Sequence, residues 1–302
     1  PMNAEQSYTV DFPSDREIRA IRRLRAPREL VFRAWTEPEH LTQWWGPRGF
    51  TMTVAELDVR PGGRWEFTFH GPDGVDYLNQ LAFLEIEAPS RLVLRHETAP
   101  RFTITATFAE SAGTTTVTFS ALFDSAEVCA GVKSYAVPGN RETLDRLEER
   151  VALLLAGKAW QTTRLLDAPV ELVWKAWTEL PHLMAWFGPQ GFTVSEAKLE
   201  LVPGGEFHYG ITSPEGLTMW GRWRFREIVP RKKLVLLSSF SDAQRGVTRH
   251  PLSSTWPLET LSTTLLEPVG DKTLMTIEWL PFYASAQELQ TFLGAFESMN
   301  QG

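Results

Sequence analysis

The spacing of apolar and polar positions changes several times along this chain, and each change marks an element. From Ile18 to Arg25 the pattern alternates by two, which predicts a strand. After Ala26-Pro27, Leu30, Val31, Ala34 and Trp35 share one helical face, with Pro27 suited to a first helical position. Glu37-Pro38 ends that helix and starts a shorter one with Leu41, Trp44 and Trp45 on its apolar side. The run Trp44-Trp45-Gly46-Pro47-Arg48-Gly49-Phe50 then reads as a helix end, a rigid turn and a strand start. From Phe50 the period is two. Phe50, Met52 and Val54 alternate, then Leu57 and Val59 do so in the opposite phase, which predicts a bulge near Ala55.

Turn residues punctuate the next seventy or so positions at short intervals. Pro61-Gly62-Gly63 is a tight turn and Gly71-Pro72-Asp73-Gly74 a hairpin. Between them Trp65, Phe67 and Phe69 make one aromatic face; Tyr77, Asn79, Leu81 and Phe83 line one face of the next strand. Turns at Ala88-Pro89-Ser90 and Ser111-Ala112-Gly113 separate further alternating runs, including Leu92, Leu94 and His96. These are the signals of an antiparallel meander of about six strands. Leu144, Leu147, Val151, Leu154 and Leu155 form a helical stripe, which predicts a long helix capped by Asn140 and stopped by Gly157.

The whole pattern then repeats. Ala26–Leu94 aligns without a gap on Ala168–Leu236, an offset of 142, with 30 identities in 69 positions. Trp186-Phe187-Gly188-Pro189 answers Trp44-Trp45-Gly46-Pro47, and Pro203-Gly204-Gly205 answers Pro61-Gly62-Gly63. Repeats of this kind are two copies of one unit. The expected domains are residues 1–157 and 158–302. The class is α+β, each unit a bent antiparallel sheet around a long C-terminal helix, the economical way to bury both apolar faces. The second copy reaches Gly302 where the first is at Gly139, so its C-terminal helix is expected to be short or missing. Residues 287–299, with Leu289, Phe292, Leu293 and Phe296 as a stripe, are expected to close it.

Composition narrows the function classes. Twelve Trp and 18 Phe are many for 302 residues and suit aromatic-lined space. A net charge of −7 without a long basic run argues against nucleic acid, and Arg19–Arg25 is expected to be a strand with a solvated face. The lone Cys129 excludes an internal disulfide. No apolar run reaches the roughly 18 residues of a membrane span, so no membrane partner and a cytoplasmic location are expected. Met2 reads as the natural start and Pro1 as a tag remnant.

Candidate chemistry is sparse. No two of the six His lie within one helical turn, no phosphate loop or nucleophile elbow is present, and neither metal nor cofactor is expected. The polar groups on the apolar strand phase are Tyr77, Asn79 and His96, whose counterparts in the second copy are Met219, Gly221 and Ser238. A His in an apolar pocket can act as a base or hold a ligand oxygen; it can equally be a satisfied core residue. The segment Ser239–Pro257, with Arg245, Arg249, His250 and Trp256, is either a lid or a loop packed on the sheet.

Pro27–Trp35, Glu37-Pro38-Glu39-His40-Leu41, the Trp-Trp-Gly-Pro corner, Pro61-Gly62-Gly63 and Trp256-Pro257-Leu258 together resemble the START-like, helix-grip (SRPBCC) superfamily, and within it the activator of Hsp90 ATPase-like family. The resemblance spans nearly the whole chain. It implies two tandem helix-grip (β-α-α-β6-α) domains, each around a hydrophobic cavity, in a family of small-molecule binders, cyclase-like proteins and a co-chaperone. The co-chaperone's Asn/Trp/His-rich N-terminal signature is not found in Met2–Ser7. The reading favours binding of an apolar or aromatic small molecule. Trp44, Trp45, Trp65, Phe67, Phe69, Tyr77, Asn79 and His96 are the expected lining of the first unit, and Trp186, Phe207, Tyr209 and Trp223 that of the second. The alternatives are a cyclase- or hydrolase-like enzyme using His96 and Tyr77, and an Hsp90-type co-chaperone. A homodimer is compatible with all three.

Overall fold

In a computed structural model that describes residues 7–299, the chain divides into two units, 1–155 and 156–302. The readings placed on residues 1–6 and 300–302 lie outside the described residues.

Unit one runs β1 (Tyr8–Asp11), β2 (Glu17–Leu24), α1 (Arg28–Thr36), α2 (Pro38–Trp44), β3 (Thr51–Leu57), β4 (Arg64–His70), β5 (Asp76–Glu87), β6 (Arg91–His96), β7 (Phe102–Ser111), β8 (Thr114–Phe123) and α3 (Ala126–Ala156). Its antiparallel sheet has the order β1-β2-β8-β7-β6-β5-β4-β3. The predicted bulge is there: the β3–β4 register shifts between Val54 and Glu56. The Pro61-Gly62-Gly63 turn needs both glycines, since Gly62 has a φ of +81° and a Cβ on Gly63 would lie 2.0 Å from the Asp58 carbonyl oxygen.

Two expectations need correction. The long helix starts at Ala126, not Asn140, and runs through Pro138. Ser125 accepts from the Val128 N–H at its start, and Cys129 and Val132 pack on Ile18, Ala121 and Phe123. That packing outweighs the helix-breaking tendency of the proline. Gly157, with a φ of +71°, ends the helix as expected. The second correction concerns the arginine-rich strand. Arg22 shares the inward phase of Ile18, Ala20 and Leu24 and is 1% exposed. It bonds Ser7, Asp145 and Glu148, the last at 2.8 Å, and so ties β2 to α3. Leu144, Leu147 and Val151 of α3 complete a core of Trp35, Trp44, Trp65, Phe67 and Phe83.

Unit two repeats the order: β9 (Trp160–Leu166), α4 (Val170–Thr178), α5 (Leu180–Trp186), β10 (Thr193–Leu199), β11 (Glu206–Thr212), β12 (Thr218–Val229), β13 (Lys233–Ser241), β14 (Val247–Thr248), β15 (Glu259–Val269), β16 (Lys272–Phe282), α6 (Ala286–Gly294) and α7 (Phe296–Met299). Its sheet order is β10-β11-β12-β13-β15-β16-β9, with β14 paired to β13. From α4 to β12 every element begins and ends 142 residues after its counterpart. The β10–β11 pair also carries a register shift, between Val194 and Glu196, two residues earlier than the Val54/Glu56 shift of the first copy. The two copies therefore share one fold; they differ in β1, which only the first has among the described residues, in β14, which only the second has, and in the helix after the last long strand.

The 286–299 segment forms two short helices, α6 and α7, rather than one. A capping box starts α6, with Ser285 accepting from the Glu288 N–H at 3.2 Å and Glu288 from the Ser285 N–H at 2.7 Å. Phe292 is fully buried, 5.4 Å from Trp256, while Leu289, Leu293 and Phe296 are partly covered. No helix of the described residues is long and apolar enough to cross a membrane.

Candidate functional site

The two corners, Trp44–Pro47 and Trp186–Pro189, have the same local bonding and opposite exposure. Trp44 donates its indole N–H to the Ala34 carbonyl at 2.7 Å, and Trp186 donates to the Ala176 carbonyl at 2.7 Å. Trp44 packs on Trp35 at 4.8 Å and Trp186 on Trp177 at 5.2 Å. Yet Trp44 is 0% exposed and Trp186 44%. The difference lies above the corner. In unit one Arg146 of α3 donates to the carbonyls of Gln43, Gly46 and Pro47, and Glu142 accepts from the Arg48 N–H. Arg48 pairs with Glu149 of the same helix. In unit two the described helices after β16 bear instead on β16 and the 249–256 loop, through Arg249–Glu288 and Trp256–Phe292.

A cavity of about 330 Å³ lies at this second corner. Trp186, Phe187, Gly188 and Pro189 form one side. Its floor is the inner face of the sheet: Tyr209 and Ile211 on β11, Met219 and Gly221 on β12, Ser238 and Phe240 on β13, Thr260 on β15. The register sets these side by side, with Tyr209 opposite Gly221, Gly221 opposite Phe240, and Ser238 opposite Thr260. Trp256, Pro257 and Leu258 make the remaining wall. The long segment before them is packed rather than free. Asp242 closes its first turn by accepting from the Gln244 and Gly246 N–H groups, Thr248 pairs with Phe240, and His250 meets Phe240 edge-on at 4.6 Å.

Of the second-unit residues expected from sequence, Trp186 and Tyr209 line this cavity. Phe207 and Trp223 lie beneath it as buried support, 4.8 Å and 6.3 Å from the Tyr209 ring. Ile211, Met219, Trp220, Ser239, Phe240 and Thr260 also line it, without having been expected as binding residues. Their signal was present only in comparison with the first copy, where Phe69 and Tyr77 stand in place of Ile211 and Met219.

In unit one the expected residues divide differently. Trp44, Trp65 and Phe67 are fully buried in the core, with Trp45 and Phe69 packed against it. Trp45 touches Trp65 at 5.1 Å, and Phe67 touches Phe69 at 4.8 Å. His96 and Asn79 do meet: the His96 Nε2 is 2.9 Å from the Asn79 Oδ1. The His96 Nδ1 is 2.9 Å from the carbonyl oxygens of both Thr98 and Pro100, and the ring stacks on Phe102 at 4.6 Å. Tyr77 does not join them. It has the inward phase, opposite Phe69, but lies near the hairpin where the core ends, 43% exposed, and its hydroxyl donates to Asp73 at 2.8 Å. Leu81, the cross-strand partner of His96, is four residues away along β5, roughly 13 Å by strand rise. His96 and Tyr77 therefore do not converge on one point.

Burial pushes the His96 pKa below its ordinary 6.5, against the opposing pull of the Pro100 and Thr98 carbonyls. A histidine depressed in the folded state binds fewer protons there than when unfolded. Its contribution is complete above pH 6.5 and is lost as pH falls from 6.5 through the lowered folded value. The expected result is that the urea midpoint of the native chain drops more steeply between pH 7 and about 5 than that of a His96→Gln variant. Parallel pH profiles for the two would remove the effect.

Other polar clusters have structural partners. Glu37, Glu39 and His40 bring ligand-type atoms within 4.8 Å of one another, but Arg33 binds Glu37 and Arg150 donates to the His40 Nδ1 at 2.8 Å. Cys129 is buried, and that burial raises its thiol pKa. Trp220, on the opposite strand phase from Gly221, stacks on His208 at 4.9 Å.

One family model matches both halves. A family model described as activator of Hsp90 ATPase homolog 1-like protein matches residues 25–152 and again residues 167–301. No curated protein matches the chain. Among solved structures, an Arthrobacter aurescens protein is 21% identical over 48% of this chain and 91% of its own, with a TM-score of 0.45. A Mycobacterium smegmatis protein is 25% identical over 49% and 96%, with a TM-score of 0.43. The di-domain ARO/CYC BexL from the BE-7585A biosynthetic pathway is 17% identical over 95% of each chain, with a TM-score of 0.40.

Proposed function

The chain belongs to the activator of Hsp90 ATPase homolog 1-like family in both of its halves, and on that premise we propose that it binds an apolar or aromatic small molecule in the cavity of unit two. The observation that carries the reading is the 330 Å³ cavity behind Trp186, within the usual range of about 300–1,000 Å³ for ligand pockets. Its wall is largely aromatic and aliphatic carbon, which favours a ligand by burial of apolar area. Unit one has the role of a well-packed companion, its corresponding corner covered by Arg146 and α3. The separation of Tyr77 from His96 speaks for binding over cyclase- or hydrolase-type chemistry at that pair.

Native mass spectrometry of freshly purified protein, joined to titration with N-phenyl-1-naphthylamine, tests the reading. The expected result is a co-purified small mass or saturable fluorescence enhancement at one probe per chain, lost in a Ser238→Phe variant that fills the cavity. A chain with neither a co-purified mass nor saturable enhancement overturns it. So does enhancement that Ser238→Phe leaves intact.

A further inference from the structure

The Tyr209 hydroxyl opens on the cavity, and the fold supplies it no hydrogen-bond partner. Tyr209 is 8% exposed and lines the cavity, and its hydroxyl makes no hydrogen bond among the described residues. A hydroxyl that opens on a cavity and has no protein partner is a donor and acceptor left to whatever fills that cavity. In the first copy the equivalent residue is Phe67, which has the same ring and no hydroxyl.

The hydroxyl also has a space made for it. A Cβ on Gly221 would lie 2.3 Å from the Tyr209 Oη, so a larger residue opposite this tyrosine would displace its phenol. The first copy has Asn79 there, engaged with His96, and the second has Ser238 in place of that histidine. Three adjacent positions thus differ together. The Phe67, Asn79 and His96 set is internally satisfied, while the Tyr209, Gly221 and Ser238 set leaves a phenol facing open space. Burial raises the phenol's pKa well above its usual range, which keeps it neutral and a hydrogen-bond donor.

The remaining lining bears on the partner's charge. No Asp, Glu, Lys, Arg or His is among the residues that line the cavity. An ionised ligand group would lose its water there and find no counter-charge. Trp186, Phe187, Phe240 and Trp256 present ring surfaces that suit a flat ligand.

We propose that this cavity selects a neutral, planar aromatic molecule bearing a carbonyl oxygen, and that the Tyr209 hydroxyl donates a hydrogen bond to that oxygen. The proposal rests on the binding reading and narrows its ligand class. The test uses two rigid probes that differ only at one carbon, 9-fluorenone with a carbonyl and fluorene without it. Their affinities for the full chain are measured by equilibrium dialysis, alongside the infrared carbonyl band of bound fluorenone. Tyr209→Phe is expected to weaken fluorenone binding about fivefold, the worth of one neutral hydrogen bond, and to leave fluorene within about twofold. The bound carbonyl band is expected at lower frequency in the native protein than in Tyr209→Phe. Gly221→Ala, which takes the hydroxyl's space, is expected to reproduce both effects. An unchanged fluorenone-to-fluorene ratio together with an unshifted band overturns the Tyr209 assignment while leaving the binding reading intact. Failure of both probes to bind the native chain overturns the binding reading, and this inference with it.

Discussion

Replacing Arg22 by Met is expected to cost unit one about 3–5 kcal/mol, because it strands buried acid charge rather than removing a surface contact. Glu148 is almost as buried as Arg22 and sits 2.8 Å from it; Asp145 is one helical turn away on the same side of α3. The cost is large beside the roughly 5–15 kcal/mol that stabilises a typical domain. It should appear as a lower urea midpoint, read by hydrogen exchange in peptides from β2 and α3. Replacing all three partners by apolar residues of similar size, Arg22→Met with Asp145→Leu and Glu148→Met, should recover most of the loss, since the desolvation of every charge goes with it. An Arg22→Met chain with native protection in these peptides would mean that the acids find other partners, and that the strand-to-helix tie contributes nothing net.

The paired tryptophans allow a second experiment with its own control. Trp44→Ala should cost about 3–5 kcal/mol, as for a fully enclosed aromatic residue. Trp186→Ala should cost roughly half as much, since nearly half of that side chain already meets solvent and less packing is lost. Both indoles donate to a helix carbonyl at the same distance, so the hydrogen bond cancels and the difference reports burial. Urea unfolding of the two variants measures it. Equal losses would mean that the second corner is as enclosed as the first.

Local features of the chain were legible in its residues. The bulge at Val54/Glu56 followed from a change of phase within seven residues, and the turns from Pro and Gly positions that few other residues can fill. The repeat carried every helix of the first copy's corner onto the second. What misled was long-range. Pro138 and two glycines argued against a helix that tertiary packing of Cys129 and Val132 sustains. The strand β1 is only four residues long, too short to show a period. Tyr77 had the right phase and the wrong depth, because alternation says which face a side chain takes and not how far the core extends. A cavity was expected in both units from the aromatic strand faces, and Trp186 and Tyr209 do line the one in unit two; that the first corner is filled instead was not legible. The first corner is filled by Arg146, Glu142 and Glu149 of α3, about a hundred residues away in sequence, and no residue within Trp44–Pro47 encodes that.

The fit of Tyr209 over Gly221 also bears on how this chain avoids confusing its own halves. Two tandem copies with related strands risk exchanging them during folding, which traps the chain in a hybrid sheet. Strands β5 and β12 are equivalent, and each is the natural competitor of the other for β4 or β11. If β5 took the place of β12 beside β11, Asn79 would stand opposite Tyr209, where even a Cβ meets the phenol at 2.3 Å. If β12 paired with β4, Gly221 would leave the Phe67 ring without its neighbour and His96 without the Asn79 amide. Each wrong pairing loses what the right one gains. At these two positions each sheet thus fits its own strand better than the equivalent strand of the other copy.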